Sequence, residues 1–300
     1  MKGNPGSDQA VAVLNNLTHT KGPFGGQPFN LRPWQQRDIV RPLFQTKADG
    51  RRQYRTCLLM MPRKNGKSEL AAGFAIQGLA FDGEIGGEVY SCAADLEQAA
   101  IVFNVAEQMV RADPELLDAI DIIHSQQRMV HRASGTFYRA ISAEAYNKHG
   151  FNASRIIYDE MHAAPNRDLF DVLTTSMGAR DQPLLVAIST AGYDKHSILW
   201  ELYDHAKKVL ETPSLDPTFL PILYEMPADA DWTDERAWKK CNPALGDFRS
   251  LEDMQIACVR AQEIPAQEMA FRRLFCNQWT ESASRWIPLA AWDACCVVAA

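Results

Sequence analysis

The stretch Thr56–Phe81, TCLLMMPRKNGKSELAAGFAIQGLAF, constrains this chain more than any other. An apolar run leads into a basic, glycine-containing turn, and a helical apolar pattern then opens on Lys67-Ser68. Strand, loop and helix in that order are the context a phosphate-binding loop requires. Amide groups at Gly66 to Ser68 then lie at a helix N-terminus, where unpaired N–H donors and the helix dipole attract a β-phosphate. On that reading Lys67 reaches the β- and γ-phosphates and the Ser68 hydroxyl ligates Mg2+. The usual pattern is G-x-x-x-x-G-K-[ST], and here Met61 stands where its first glycine belongs. Pro62 can fix the turn instead, because its ring locks φ, and Arg63 and Lys64 add positive charge facing a triphosphate. A bare GKS also describes a helix start after a basic surface turn, so the motif needs support from elsewhere.

That support comes at Arg155–His162, RIIYDEMH. Three apolar residues followed by two carboxylates describe a buried parallel strand that delivers acids to a ligand crevice at its C-terminal end. Asp159 is placed to hold Mg2+ through water, and Glu160 to orient and deprotonate an attacking water. A strand ending in a solvated acidic turn is the simpler alternative. It loses ground because the GKS turn and this acidic strand have the order and spacing of two strands in one nucleotide-binding sheet. A third strand, Pro183–Gly192 (PLLVAISTAG), ends in hydroxyls. Ser189 and Thr190 at its tip can bond a γ-phosphate or the lytic water and relay a change of partner outward; ordinary strand termination at Gly192 is the alternative.

The 300 residues suffice for one large α/β domain plus a smaller appendage, and a hydrophobic content of 46% can fill its core. No apolar run approaches the roughly 18 residues of a membrane span, and no signal-peptide core is visible at the start. The seven cysteines include no C-x-x-C pair, which fits a reducing compartment. A net charge of −6 argues against a chain that coats nucleic acid non-specifically, and restricts any DNA contact to a local basic patch.

In chain order, residues 1–30 read as an N-terminal arm with a mobile start and a short helix over Gln9–Leu17. LRPWQQRDIVRPLF then forms an amphipathic helix. Gln35 within it is either an exposed helix residue or a donor and acceptor for an adenine edge. Beyond the phosphate loop come a strand at Glu88–Ala93, a helix over Leu96–Met109, and a further helix capped by Asp113 with Pro114 in its first turn. Met129–Ile141 reads as a hairpin turning on Ser134-Gly135. Lys148 and His149, in the loop before the acidic strand, are solvated turn residues or charge offered to a neighbouring subunit. Arg180, just before the third strand, is structural or a transition-state cation. From about residue 211 proline-punctuated segments follow: a strand FLPILYE, a Thr-capped helix in WTDERAWKKCNPALG, and a largely helical Leu251–Trp279.

Taken together, these residues resemble the large subunit of tailed-phage terminases. The resemblance is carried by LRPWQ, PRKNGKS, SAEAYNKHGFN, YDEMH, PLLVAISTAG, CNPALG and FCNQWTESASRWIP, and runs from Leu31 almost to the end. A branch of that family reads RKNGK in its deviant phosphate loop. The resemblance implies an α/β P-loop NTPase of the additional-strand, catalytic-glutamate type, with a central mostly parallel sheet flanked by helices and a small linker or lid subdomain. The implied boundaries are an arm at 1–30, an ATPase core at 31–210, a linker/lid at 211–284, and at 285–300 the start of a connection to a nuclease of RNase H type. The implied catalytic set is Glu160, Lys67 and Arg63. Gln35, Pro62, Arg63, Lys64, Asn65, Gly66, Lys67 and Ser68 would bind ATP, and Ser68 and Asp159 the Mg2+. Ser189, Thr190 and Ala191 fall on the family's coupling motif. Lys148 and Arg180 are the two candidates for a cation acting in trans.

The expectation is therefore a Mg2+-dependent ATPase that drives double-stranded DNA into a procapsid in the host cytoplasm, acting as a ring on the portal protein with a small terminase subunit. A monomer in isolation and no membrane association are also expected. Because the sequence stops near the start of the nuclease, no endonuclease activity is expected from it. The alternatives are a helicase or translocase of superfamily 2, since DEMH fits D-E-x-H, and a non-catalytic nucleotide-binding assembly module.

Overall fold

The computed structural model describes residues 3–142 and 150–280. The chain forms two compact units. The first comprises Met1–Leu59, Lys67–Ser189 and Ser197–Ile222, and the second Met60–Gly66, Thr190–His196 and the chain from Leu223 onward. The first compact unit thus runs on to Ile222. The phosphate loop ahead of Lys67 and the segment after Ser189 group with the C-terminal unit.

The first unit is built on an eight-stranded sheet: β1 (Thr56–Met60), β2 (Glu88–Ala93), β3 (Ile120–Ile123), β4 (Arg128–His131), β5 (Phe137–Ser142), β6 (Arg155–Asp159), β7 (Leu184–Ser189) and β8 (Phe219–Leu223). Their spatial order is β3-β4-β5-β2-β6-β7-β1-β8. Strands β5, β2, β6 and β7 pair in parallel, while β3, β4 and β5 make an antiparallel margin. All of β6 and β7 is buried, as the unbroken apolar runs require of strands covered on both faces. One strand, β7, stands between β1, which feeds the phosphate loop, and β6, which carries the acids. That interposed strand is the additional strand that the sequence implies.

Helices α1 (Pro5–Asn16), α2 (Arg41–Leu43), α3 (Lys67–Ala80), α4 (Leu96–Ala112), α5 (Pro114–Ala119), α6 (Asp168–Ser176) and α7 (Ile198–Glu211) complete this unit. Helix α3 is apolar nearly all round and buried along most of its length, the character of a central rather than a surface helix. Asp95 and Asp113 cap α4 and α5 as their sequences require.

Four expectations are corrected here. The N-terminal helix begins four residues before Gln9, on an Asn4 cap with Pro5 behind it, and buries Ala10, Val11 and Leu14, so the chain is docked over this helix. The amphipathic helix around Gln35 is a π-helical turn over Gln35–Val40 before α2. Pro42 lacks the N–H that would extend a regular ladder through this turn. The hairpin turns at Ser134-Gly135, where Gly135 has φ +67°, but it gains a third strand, β3, because Ile120 and Ile122 alternate over too few residues to stand out. The helix after residue 232 is capped by Asp234, whose carboxylate accepts the Arg236 amide, and not by Thr233.

In the second unit, helices α8 (Glu235–Cys241), α9 (Leu251–Glu263) and α10 (Pro265–Cys276) surround Trp238, Met254, Phe271 and Cys276. The helical stretch expected over Leu251–Trp279 breaks between α9 and α10, where Pro265 cannot continue the preceding ladder.

A buried ion network anchors the N-terminal end of β6. Arg155 is fully buried; it donates to the Phe74 carbonyl at 2.9 Å, to the Gln77 side chain, and to Asp82 at 3.0 Å. Arg52 bonds the other oxygen of Asp82. Gly78 makes room for this arrangement, since a Cβ there would meet Arg155 Cδ at 2.8 Å. Burial lowers the Arg155 pKa to about 10, with Asp82 opposing the shift. Removing Asp82 strands two buried cations. Asp82→Ala is expected to cost about 3–5 kcal/mol of unfolding free energy, read from urea denaturation.

Candidate active site

Strand β6 ends on Asp159, and the chain then turns sharply. Glu160 has φ 47° and ψ 45°, a left-handed conformation unusual for a residue with a side chain, and a short 3₁₀ turn over Met161–Ala163 follows. Strain of this kind needs support from its surroundings. Part of it comes from Asp159, whose Oδ1 accepts the Glu160 amide at 3.0 Å. The two acids therefore diverge from one strand end. Asp159 is 6% exposed, and burial, then the neighbouring Glu160 charge, push its pKa up to about 7, with Lys67 opposing.

Lys67, at the first position of α3, is also buried, and its Nζ lies 4.0 Å from Glu160 Oε1. The other Glu160 oxygen is 3.1 Å from His162 Nδ1. His162 in turn meets Ser189: its amide donates to Ser189 Oγ at 3.2 Å, and its ring nitrogen lies 3.1 Å from the same oxygen. One lysine, two adjacent acids, a histidine and the hydroxyl at the tip of β7 are thus brought together. His162 is the residue that sequence reasoning left without a role, although D-E-x-H places it beside the acids. Ser68 is half-buried in the first turn of α3, where the helix amides lack intrahelical acceptors. Its hydroxyl and the Asp159 carboxylate are hard oxygen donors suited to Mg2+. A largely buried acid pair set against one lysine fits a divalent cation.

The loop that runs into Lys67 is shaped within the second unit. Lys64 and Gly66 both have positive φ, 66° and 83°, so the turn is made at these two positions as well as by Pro62. Arg63 and Lys64 are exposed, whereas Asn65 is fully buried. The Asn65 side chain, expected to face nucleotide, is engaged within the protein instead. Its amide donates to the Pro62 carbonyl at 3.2 Å and to Asn242 Oδ1 at 3.0 Å, and its oxygen accepts the Ala244 amide at 3.2 Å. Asn242 also donates to the Phe275 carbonyl at 2.9 Å, Arg249 donates to the Arg63 carbonyl, and the Arg63 amide reaches the Leu274 carbonyl at 2.9 Å. The CNPALG segment is therefore a clamp on the phosphate loop. The segment after β7 is held similarly: Asn277, itself left-handed, accepts the Ala191 amide at 2.6 Å and donates to the Tyr224 carbonyl at 2.8 Å.

Three other expected residues resolve differently. Gln35 is buried, not exposed, and its side-chain oxygen accepts the Arg32 amide at 2.8 Å, so the acceptor half of an adenine-reading pair is already engaged. Arg180 spends all three guanidinium nitrogens in its own chain, on the Asn152 carbonyl, Glu84 and the Gly86 carbonyl, each at 2.9 Å. Acting in trans would require it to leave them. Lys148 lies outside the described residues. Thr190 is fully buried.

A sheet in this order, with a basic loop feeding α3 and an acid pair ending β6, defines an α/β fold of the P-loop NTPase class. Comparison with known proteins narrows this. Residues 33–208 match the family described as terminase large subunit, ATPase domain, and residues 215–300 the one described as terminase large subunit, endonuclease domain. The chain belongs to the terminase large subunit family. It is 34% identical over 278 residues to the large terminase subunit of Enterobacteria phage HK97, covering 92% of this chain and 53% of that protein. The crystal structure of the HK97 large terminase matches with a TM-score of 0.81 at 32% identity, over 96% of this chain and 58% of that one. Two more distant structures share the fold. The ATPase domain of the Thermus phage P74-26 large terminase has a TM-score of 0.55 at 19% identity, covering 83% of this chain and 100% of that one. The large terminase of a thermophilic bacteriophage in complex with ADP has 0.51 at 12%, covering 83% and 52%. The chain spans about half the length of the HK97 protein. The endonuclease match corrects the expectation that the nuclease part is missing, since it takes in the stretch read as linker and connection.

The clamp is testable. Asn242→Ala removes the acceptor of Asn65 and should speed amide hydrogen exchange across residues 63–66. The cost in unfolding free energy is expected at about 1–3 kcal/mol, that of leaving a buried amide unmatched.

Proposed function

We propose that this chain carries the site at which a DNA-packaging motor hydrolyses ATP with Mg2+, and that hydrolysis drives double-stranded DNA into a procapsid. The observation that carries the reading is the Asp159-Glu160 pair at the end of a buried strand, with Glu160 4.0 Å from the lysine of the phosphate loop. The ATPase-domain match over residues 33–208 and the ADP complex of the thermophilic-phage terminase support it. The RKNGK form of the loop belongs to the same reading.

In this reading Ser68 and Asp159 would hold Mg2+, which when bound would offset charge on the polyphosphate. The amides of Gly66, Lys67 and Ser68 receive phosphate oxygens at the start of α3, and Lys67 moves from Glu160 toward the terminal phosphates. Glu160, released from Lys67 but still beside His162, orients a water in line with the terminal phosphorus and takes its proton. Ser189, bonded to His162, is positioned to feel that change, and Thr190-Ala191 to pass it along the chain. Arg63 adds positive charge to the loop. The cation acting in trans comes from a neighbouring subunit in a ring, with Lys148 as its candidate. An isolated subunit then turns over slowly, because such a cation is worth about 10³–10⁵ in rate. The partners are double-stranded DNA, a portal protein and a small terminase subunit, encountered in the cytoplasm of the host. No helix among the described residues is long and apolar enough to cross a membrane.

Steady-state hydrolysis with Mg2+ and double-stranded DNA tests the assignment. Glu160→Gln should bind ATP like the parent and lose about 100-fold or more in turnover, the effect of removing a positioned base. Lys67→Ala should lose both binding and turnover. Unchanged hydrolysis by Glu160→Gln would remove the base from the mechanism and leave a nucleotide-binding assembly module as the better account.

A further inference from the structure

The antiparallel margin of the sheet has two faces of opposite character. Met129 and Tyr138 are fully buried on one, where the Tyr138 ring lies 5.6 Å from that of Phe103 in α4. Arg128, Val130, Phe137 and Arg139 alternate with them, are half-buried, and share the other face. Arg128 of β4 stands directly opposite Arg139 of β5. The Ala140 amide donates to the Gln127 carbonyl at 3.1 Å and the His131 amide to the Thr136 carbonyl at 2.9 Å. Bonded and non-bonded pairs alternate along such a ladder, which makes Arg128 and Arg139 a non-hydrogen-bonded pair, the kind whose side chains stand closest. Like charges in that position repel.

No described residue relieves the repulsion. Neither guanidinium has an ion pair or a hydrogen bond among the described residues, and Arg128 Nε is buried without a partner. The carboxylates on the same face are engaged elsewhere. Glu88, opposite Phe137, accepts the Tyr90 hydroxyl at 2.7 Å and the Asn152 amide at 2.8 Å. Asp121, opposite Val130, accepts Arg132 at 2.7 Å. The Arg128 guanidinium carbon lies 4.5 Å from the centre of the Phe137 ring, which attracts the cation but does not satisfy N–H donors in its plane.

Such a face suits an anion, and its aromatic rings narrow the kind. Phe137 is already covered by Arg128, and Tyr90 is 5% exposed, edge-on to Phe137 at 5.8 Å and to Phe151 at 5.2 Å. Neither ring is offered to an unstacked base, as single-strand binding requires. What remains is two charges side by side, a match for the phosphates of a duplex backbone. In a chain of net charge −6, a local basic patch of this kind is what contact with DNA requires.

We propose that the open face of β4 and β5 is a contact surface for double-stranded DNA, with Arg128 and Arg139 each holding a backbone phosphate. The proposal rests on the reading of this chain as part of a motor that moves duplex DNA. Contact confined to the backbone carries no sequence information, which fits a motor that must pass any sequence.

The test is binding of a short fluorescent DNA duplex, over a salt series, to the parent, Arg128→Ala/Arg139→Ala and Arg128→Lys/Arg139→Lys. A single strand is run beside it, with thermal melting and light scattering of each protein free of DNA. The alanine variant should weaken duplex binding about tenfold or more and flatten the slope of log affinity against log salt by about 2, near one counterion per lost phosphate contact. A duplex of another sequence should show the same loss. The lysine variant should keep the slope, because its charge is retained. The melting midpoint of the alanine variant should hold or rise, since a cross-strand repulsion is gone. Unchanged duplex affinity and slope in the alanine variant overturn the proposal; with a parent that binds duplex, only this surface is lost. A lower melting midpoint or weaker self-association, with duplex affinity intact, also overturns it and assigns the pair to the fold or to a second copy. So does a loss confined to the single strand. If the parent binds no duplex even at low salt, the reading of the chain as a DNA motor fails and the surface with it.

Discussion

Two adjacent carboxylates at the end of a strand buried on both faces are the constraint on which the rest of this site depends. Asp159 and Glu160 cannot both be charged there without a cation, and the basic side chain set against them is Lys67, 4.0 Å from Glu160. The chain accommodates the conflict in two ways. It bends Glu160 into a left-handed conformation, so that its carboxylate leaves the line of the strand, and it buries Asp159 until its pKa rises to about 7. Both are costs that a purely structural strand end would avoid, and both favour a site waiting for positive charge.

The loop proposed to receive the phosphates is held by another means. Its turn conformation depends on Lys64 and Gly66, and its path is fixed by side-chain amides within the second unit, through Asn65 and Asn242. A loop that presents amide donors to a ligand has few of them left to hold itself together. Here the loop carbonyls do that work, taking hydrogen bonds from Asn65 and Arg249. Asn277 repeats the device on the segment that follows β7.

Much of this was legible in the sequence. The strand, loop and helix over Thr56–Phe81 and the acidic strand followed from apolar runs and from where they end, whereas the additional strand of the central sheet was implied only by the family resemblance. Periodicity reports burial, and burial is nearly all that a central parallel strand records. What stayed hidden was pairwise. Asn65 looked like a loop residue facing ligand, because its partner lies far along the chain at Asn242. Gln35 was left open between exposure and adenine contact, and its capture of the Arg32 amide has no local signature. Arg155 opens the acidic strand with no local sign of burial, yet it is fully buried against Asp82 from another connection. His162 was visible as part of a motif, but its contacts with Glu160 and Ser189 depend on β6 and β7 being neighbours.

The most direct test of the central claim is an anomalous difference map from crystals grown with a non-hydrolysable ATP analogue and Mn2+ in place of Mg2+. The account predicts a metal peak beside the Ser68 hydroxyl and the Asp159 carboxylate, with the polyphosphate lying on the amides of Gly66, Lys67 and Ser68. Nucleotide bound elsewhere, or a metal that ignores Asp159, would contradict it.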